Sequence, residues 1–225
     1  MIKHTKKISF LFLFILVFGS CKTMKNSEIG GLIGAAGGAV IGGVIGNQVD
    51  DTELGAVIGG MVGATVGGII GNQMDQQAKK IEEEMPSVVV QRVEEDINIV
   101  FDEESGVYFE TNKHDLNTSS KETIHKLASI LKEYTYSNIL IEGHTDNVGK
   151  EESNFVLSKH RAHSVKEYLV EQGVDEQRFT VRYYGESQPK YDNTTVEGKS
   201  KNRRVEVTIS PNEELRRQAV AQIKE

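Results

Sequence analysis

Apolar positions change their spacing several times along the chain. Ile8–Phe18 is an apolar run broken only by Ser9. In residues 26–76 apolar positions alternate with glycine, and Gly30, Gly34, Gly38, Gly42 and Gly46 recur every fourth residue, as do Gly55, Gly59, Gly63, Gly67 and Gly71. That period puts the glycines on one helical face. Asp75–Met85 is polar and helix-favouring, and Pro86 ends it. Val88–Val90 and then Ile97–Phe101 turn to a strand-like pattern, and Val107–Phe109 reads as a further strand beyond the acidic turn Asp102–Gly106. Ile124, Leu127, Ile130 and Leu131 return at helical spacing, with Ser119 and Glu122 placed for a capping box. Strands follow at Asn138–Glu142, Phe179–Tyr184 and Val205–Ile209. The helix between the first two runs from about Glu151 to Gln172 and stops at Gly173, a suitable C-terminal glycine. The order β-α-β-α-β-β over residues 97–210 predicts an α/β fold, an α+β sandwich with helices on one face of a mixed sheet. Pro211 closes it, and residues 211–225 are expected to be a frayed, charged helical tail.

The N-terminal patterns imply a different environment. Lys3, Lys6 and Lys7 precede the apolar run, and the small pair Gly19-Ser20 follows it. Residues 1–20 therefore read as an export signal, too short to span a bilayer. Ile33–Asp50 aligns with Ile58–Asp75 at an offset of 25 residues. Glycine at this density disfavours an isolated helix in water, but it lets two backbones approach closely. Two helices joined by Asn47–Glu53 and packed glycine face to glycine face are expected. Gly30 to Gly46 would span about 24 Å at 1.5 Å per residue, short of the roughly 30 Å hydrocarbon core. Membrane insertion, packing into a homo-oligomer and a soluble hairpin all remain open on this pattern. Residues 77–96 read as a linker.

Charge and cysteine usage narrow the function. The formal net charge is −7, from 26 basic and 33 acidic residues. Loss of Lys3, Lys6 and Lys7 with the signal would take it to −10. Such a chain is poorly suited to phosphate backbones, so nucleic acid is excluded as a partner. Cys21 is the single cysteine, which excludes an intramolecular disulfide and a cysteine-based metal cluster. No cofactor is expected.

The candidate chemistry lies in Ile139–Arg161. Asp146 sits in the turn after a short apolar strand, and Arg161 sits on the following helix. Opposite charges around one cleft suit a ligand carrying both an amine and a carboxylate. Asn154, Ser158, Arg161 and Val165 share a helix face. The arginine stem can pack while its guanidinium holds a carboxylate through two parallel hydrogen bonds. The plainer alternative is that Asp146 and Arg161 simply bridge each other. His144, Thr145 and Asp146 could suggest an enzyme, but no G-x-S-x-G elbow accompanies them. His160 and His163 lack further ligands at metal-binding spacing. No catalysis is expected.

Three resemblances add to this reading. Val17-Phe18-Gly19-Ser20-Cys21 resembles the bacterial lipobox, which implies cleavage before Cys21, lipid modification of Cys21 and a lipidated N-terminus at 21–25. Lys22 in place of aspartate implies, by the same resemblance, the outer membrane. The duplicated segment resembles the glycine zippers of outer-membrane-associated proteins. Gly143-His144-Thr145-Asp146-Asn147-Val148-Gly149, then Asn154-Phe155-Val156-Leu157-Ser158-Lys159-His160-Arg161-Ala162, then Tyr184-Gly185-Glu186-Ser187-Gln188-Pro189 and Asn202-Arg203-Arg204-Val205-Glu206 resemble, in order, the motifs of the OmpA C-terminal domain. That resemblance implies non-covalent binding of peptidoglycan through the diaminopimelate of its stem peptide, by a domain facing the periplasm and tethering outer membrane to wall. It assigns the amine to Asp146 and the carboxylate to Arg161. Thr145, Asn147, Asn154, Thr111 and Asn112 are expected to line the pocket, Arg204 to support it and Asn202 to order the adjoining loop. An alternative is an oligomeric membrane assembly driven by the glycine zipper, with the wall-binding domain as its anchor.

Overall fold

The computed structural model describes residues 52–109 and 112–223, with side chains from 64 onward. The signal, Cys21, the first glycine repeat and Thr111 lie outside the described residues. The elements are α1 (Thr52–Glu84), β1 (Val89–Val93), β2 (Asp96–Phe101), α2 (Thr118–Glu133), β3 (Ser137–His144), α3 (Glu151–Glu171), β4 (Phe179–Gly185), α4 (Val196–Asn202), β5 (Val205–Pro211) and α5 (Glu213–Gln222).

The strands form one sheet in the order β1-β2-β5-β3-β4. Only β3 and β4 are parallel; the other pairs are antiparallel. The α3 helix supplies the crossover that a parallel pair requires. Register sets the two faces. Ile99, Val207, Ile141 and Val181 stand side by side across the sheet, as do Ile97, Ile209, Ile139 and Phe179. These rows meet Ile124, Leu127 and Leu131 of α2 and Ala162, Val165 and Leu169 of α3 in a single core. The alternate positions, Asn98, Thr208, Glu142 and Arg182, make a polar outer face.

Several expectations need correction. Residues 77–96 are not a linker. They hold the end of α1, all of β1 and the start of β2. The second glycine repeat belongs to the same 33-residue helix as the polar stretch after it, a helix about 50 Å long. Ile70, Met74, Ala78 and Ile81 of α1, with Met85 beyond it, are buried in the core. Asp75 pairs with Arg92 of β1 at 3.1 Å, and Lys80 with Glu133 of α2. The domain therefore begins inside the glycine-rich segment rather than at Ile97. Among the described residues no helix is long and apolar enough to cross a membrane. The tail at 211–225 is not frayed over its first turns, because α5 buries Leu215 and Ala219 against α1. Asn212 caps α5 by accepting from the Leu215 amide.

Local errors have local causes. Val107–Phe109 is not a strand. Tyr108 N–H and Tyr108 O bond to the Ser120 hydroxyl, so this backbone is satisfied without a ladder. The α2 cap is Asn117, not Ser119, and its side chain accepts from the Ser120 amide. A short helix, α4, interrupts the loop before β5. Arg178, just before β4, donates to the carbonyls of Leu131, Tyr134 and Ser137, filling acceptors left by the end of α2.

One close approach positions the loop carrying Asp146. At Gly143 of β3, an added Cβ would lie 2.2 Å from the Ser158 carbonyl oxygen of α3. At Gly185, where φ is +55°, it would lie 2.9 Å from the Phe155 amide. Ser158 Oγ closes the contact by accepting from the Gly185 amide at 2.9 Å.

Gly143→Ala should destabilise the domain by about 1–3 kcal/mol through overpacking against backbone; an unchanged urea midpoint would count against this account. Each of Ile70, Met74, Ile81 and Met85 contributes about 1.5–3 kcal/mol on burial, together comparable with a whole domain's stability of about 5–15 kcal/mol. A fragment of residues 97–210 should therefore show no cooperative urea transition where residues 64–223 do. Equal midpoints for the two fragments would refute the integration of α1.

Candidate functional site

The last residues of β3 run into a turn whose backbone is held by hydrogen bonds, while the buried His144 Nδ1 and Thr145 Oγ1 have no partner among the described residues. His144 N–H donates to the Arg204 carbonyl and Thr145 N–H to the Gly185 carbonyl. These bonds fix the turn between β5 and β4. Asn154, at the first turn of α3, donates from Nδ2 to the carbonyls of Asp146 and Val148, both at 3.2 Å, and to Glu186. One amide thus ties the loop to the helix.

Asp146 is 7% exposed. Its Oδ1 accepts from the Val148 amide at 3.1 Å, and its Oδ2 pairs with Arg203 Nη1 at 2.9 Å. Arg161 is 2% exposed, the largest fully buried side chain among the described residues. Its Nε donates to the Lys113 carbonyl at 3.1 Å, and its guanidinium lies 5.0 Å from the centre of the Phe109 ring. Burial pulls the Arg161 pKa down to about 10, and Arg203 adds to the shift while Asp146 opposes it. The two cations and the one acid therefore share a field. Asp146 pairs with Arg203 and not with Arg161, so the simple bridge between Asp146 and Arg161 is not what holds the turn.

The remaining expected residues divide into two groups. Asn154, Thr145 and Asp146 are buried together at the turn, while Asn147 is exposed beside them. Asn112 is exposed with φ at +60° and lines a groove with Glu152, Ser153, Val156, Leu157 and His160. Along this side, His160 meets the ring of His114 at 4.9 Å. Phe109 and Lys113 lie against Arg161 of α3.

Arg204 faces elsewhere. Its Nε pairs with Glu206 at 2.6 Å and its Nη2 donates to the Gln188 carbonyl. Burial would raise the Glu206 pKa, but Arg204 and Lys190 hold it below the usual carboxylate range. His144 stacks on Tyr184 beside this group. Burial lowers its pKa to about 4, and Arg204 pushes in the same direction. A neutral, buried imidazole forms the floor of the turn. Asn202 orders the neighbouring loop, accepting from the amides of Lys190 and Tyr191 and donating to the Tyr191 carbonyl.

Arg203, Glu103 and Phe109 were not anticipated from the sequence. The consecutive Arg203 and Arg204 turn to different partners, Asp146 and Glu206. Arg203 lies at the end of α4, before β5 begins, so strand parity does not govern it. The group as a whole offers one buried carboxylate and two guanidinium groups, a polar set suited to holding a zwitterionic end. Among the described residues no three metal-ligating side chains converge.

Comparison with known proteins fits this geometry. Residues 108–203 match the model of the OmpA family, and residues 1–75 match the YMGG-like Gly-zipper model. "Probable lipoprotein YiaD" of Escherichia coli (strain K12) is 36% identical over 135 residues, covering 60% of this chain and 62% of that protein. The outer-membrane lipoprotein YfiB of Pseudomonas aeruginosa is 40% identical, covering 47% of this chain and 62% of that protein. The peptidoglycan-associated lipoprotein of Buchnera aphidicola is 39% identical, covering 44% and 57%. This chain thus spans less than two thirds of the length of each of these relatives. Among solved structures, a MotB-like protein from Desulfovibrio vulgaris aligns with a TM-score of 0.57 at 22% identity, covering 64% of this chain and 94% of that one. The cell wall anchor of the T6SS from Pseudomonas aeruginosa aligns with a TM-score of 0.53 at 22% identity, covering 62% and 97%. These two likenesses concern the fold. The motifs, the turn they build and the sheet beneath it agree with the match of residues 108–203 to the OmpA family model, which in this chain follows a segment matching the YMGG-like Gly-zipper model.

Proposed function

We propose that this chain binds peptidoglycan without catalysis and tethers the outer membrane to the cell wall. The observation that carries the reading is the buried acid and base, Asp146 in the turn after β3 and Arg161 on α3, near enough for Asp146 to act on the Arg161 charge, within the residues that match the OmpA family model. Relatives named as a peptidoglycan-associated lipoprotein and an outer-membrane lipoprotein support it.

The ligand is the diaminopimelate of the stem peptide, whose free end carries an ammonium and a carboxylate. Asp146 accepts the ammonium, and Arg161 takes the carboxylate in a charge-assisted pair. Thr145, Asn147 and Asn154 shape the turn, Thr111 and Asn112 line the approach, and Arg204 supports the floor from the sheet side. The ligand reaches Arg161 only when Phe109 and Lys113 give way, since both lie against the guanidinium. Low solvent exposure makes each of these interactions stronger than it would be at the surface. Lipid on Cys21 holds the chain on the periplasmic side of the outer membrane. Two or more acyl chains suffice for a stable anchor at about 0.8 kcal/mol per buried CH₂.

Asp146→Ala or Arg161→Ala should reduce co-sedimentation of the full chain with purified peptidoglycan to background, with the far-ultraviolet dichroism of a folded protein retained. Full co-sedimentation of both folded variants would sink the assignment. Wall material with lysine at the third stem position, which lacks the second carboxylate, should be retained poorly compared with diaminopimelate wall. Cys21→Ser should move the protein from the membrane pellet to the soluble periplasmic fraction; its persistence in the pellet would point to an anchor other than lipid.

A further inference from the structure

Arg203 contacts two carboxylates at once. Its Nη1 is 2.9 Å from Asp146 Oδ2, and its Nη2 is 3.6 Å from Glu103 Oε2. The two acids differ in setting. The Asp146 side chain is 10% exposed and that of Glu103 is 62% exposed. Asp146 is also held in place, since its Oδ1 accepts from the Val148 amide and Asn154 fixes its carbonyl. Glu103 lies in the acidic turn after β2 and accepts from the Ser200 hydroxyl, on the same short helix that ends at Arg203. The guanidinium of Arg203 thus occupies the oxygen that a ligand ammonium would need. A second oxygen, more exposed, waits on its far side.

We propose that Arg203 is an internal stand-in for the ligand's ammonium, holding Asp146 Oδ2 in the unliganded protein and passing to Glu103 when the ligand binds. The inference rests on Asp146 as the ammonium acceptor. Its logic is charge balance. An ammonium entering beside an unmoved Arg203 would put two cations on one buried carboxylate oxygen. Transfer of Arg203 to Glu103 leaves each of the two an acid. The shift is short, because Glu103 already lies within ion-pair range.

The exchange also sets specificity. A guanidinium on a buried carboxylate gives way to another cation and not to a neutral group, which would leave the charge unpaired. The site therefore reads the free ammonium of the diamino acid and rejects the same end once its amine is acylated. Arg203 and Glu103 are positioning residues in this scheme, acting through Asp146.

Calorimetric titration of the full chain tests it, with a stem tripeptide ending in diaminopimelate and the same peptide acetylated on its terminal amine. Arg203→Gln should tighten the free-amine peptide by about three- to tenfold, as removal of a competing partly buried ion pair implies, and should narrow its advantage over the acetylated peptide. Glu103→Gln should weaken the free-amine peptide by about two- to fivefold, and that loss should vanish in the Arg203→Gln background. Weaker binding by Arg203→Gln would make Arg203 a direct ligand contact and overturn the proposal. So would a Glu103→Gln protein with wild-type affinity, an arm that stands even if Arg203→Gln fails to fold. An Asp146→Ala protein that binds as tightly as wild type would overturn both this inference and the assignment of Asp146. Normal loss in Asp146→Ala with no effect of Glu103 or Arg203 would overturn this inference alone.

Discussion

The turn at the end of β3 depends on how closely that strand and α3 can approach. Gly143 and Gly185 have no side chains where the backbone of α3 passes, and a methyl group at either would meet a main-chain atom. The Ser158 hydroxyl turns this proximity into a bond with β4. Asn154 extends the contact into the loop. Because strand, helix and loop are locked at three successive points, the Asp146 carboxylate needs no charged partner on α3 to keep its position. Its carboxylate is left to pair with Arg203.

Burial gives those charges their strength and their cost. A guanidinium as enclosed as Arg161 would be destabilising if it were isolated. Here its Nε has a carbonyl, its plane has the Phe109 ring and its charge has Asp146 within range. On the outer face of the sheet, Arg204, Glu206 and Lys190 form a second set that is paired internally. The two consecutive arginines therefore do unlike jobs. One joins Glu206 and Lys190 beneath the turn, and the other reaches Asp146 and Glu103.

Much of this was legible in the sequence, and the failures have physical reasons. The helix Glu151–Glu171, its stop at Gly173 and the apolar strands emerged at nearly their observed limits because burial imposes a regular period. Asp146, Asn154 and Arg161 could be grouped because helix spacing and motif order both point to one cleft. Arg203 could not be chosen over Arg204, since its direction depends on where α4 ends and on an acidic turn about a hundred residues away. The role of residues 77–96 was missed for a related reason. Asp75, Gln77 and Lys80 look solvated in a one-dimensional pattern, yet Ile70, Met74, Ile81 and Met85 between them make a core-facing stripe. Glycine and charge hid a helix whose burial is set by its tertiary partners.

The continuity of α1 has a mechanical consequence. In the proposed role, a chain held to the wall at one end and elsewhere at the other bears tension whenever envelope layers move apart. Flexible tethers absorb such displacement by uncoiling, and the gripping domain can then swivel freely. Here the segment entering the domain is a hydrogen-bonded rod whose last four turns are part of the hydrophobic interior. Load applied at Thr52 passes along that rod into β1, β2, α2 and α5, none of which pairs with β4. Strain on the connection is thus borne by the half of the domain remote from the binding turn.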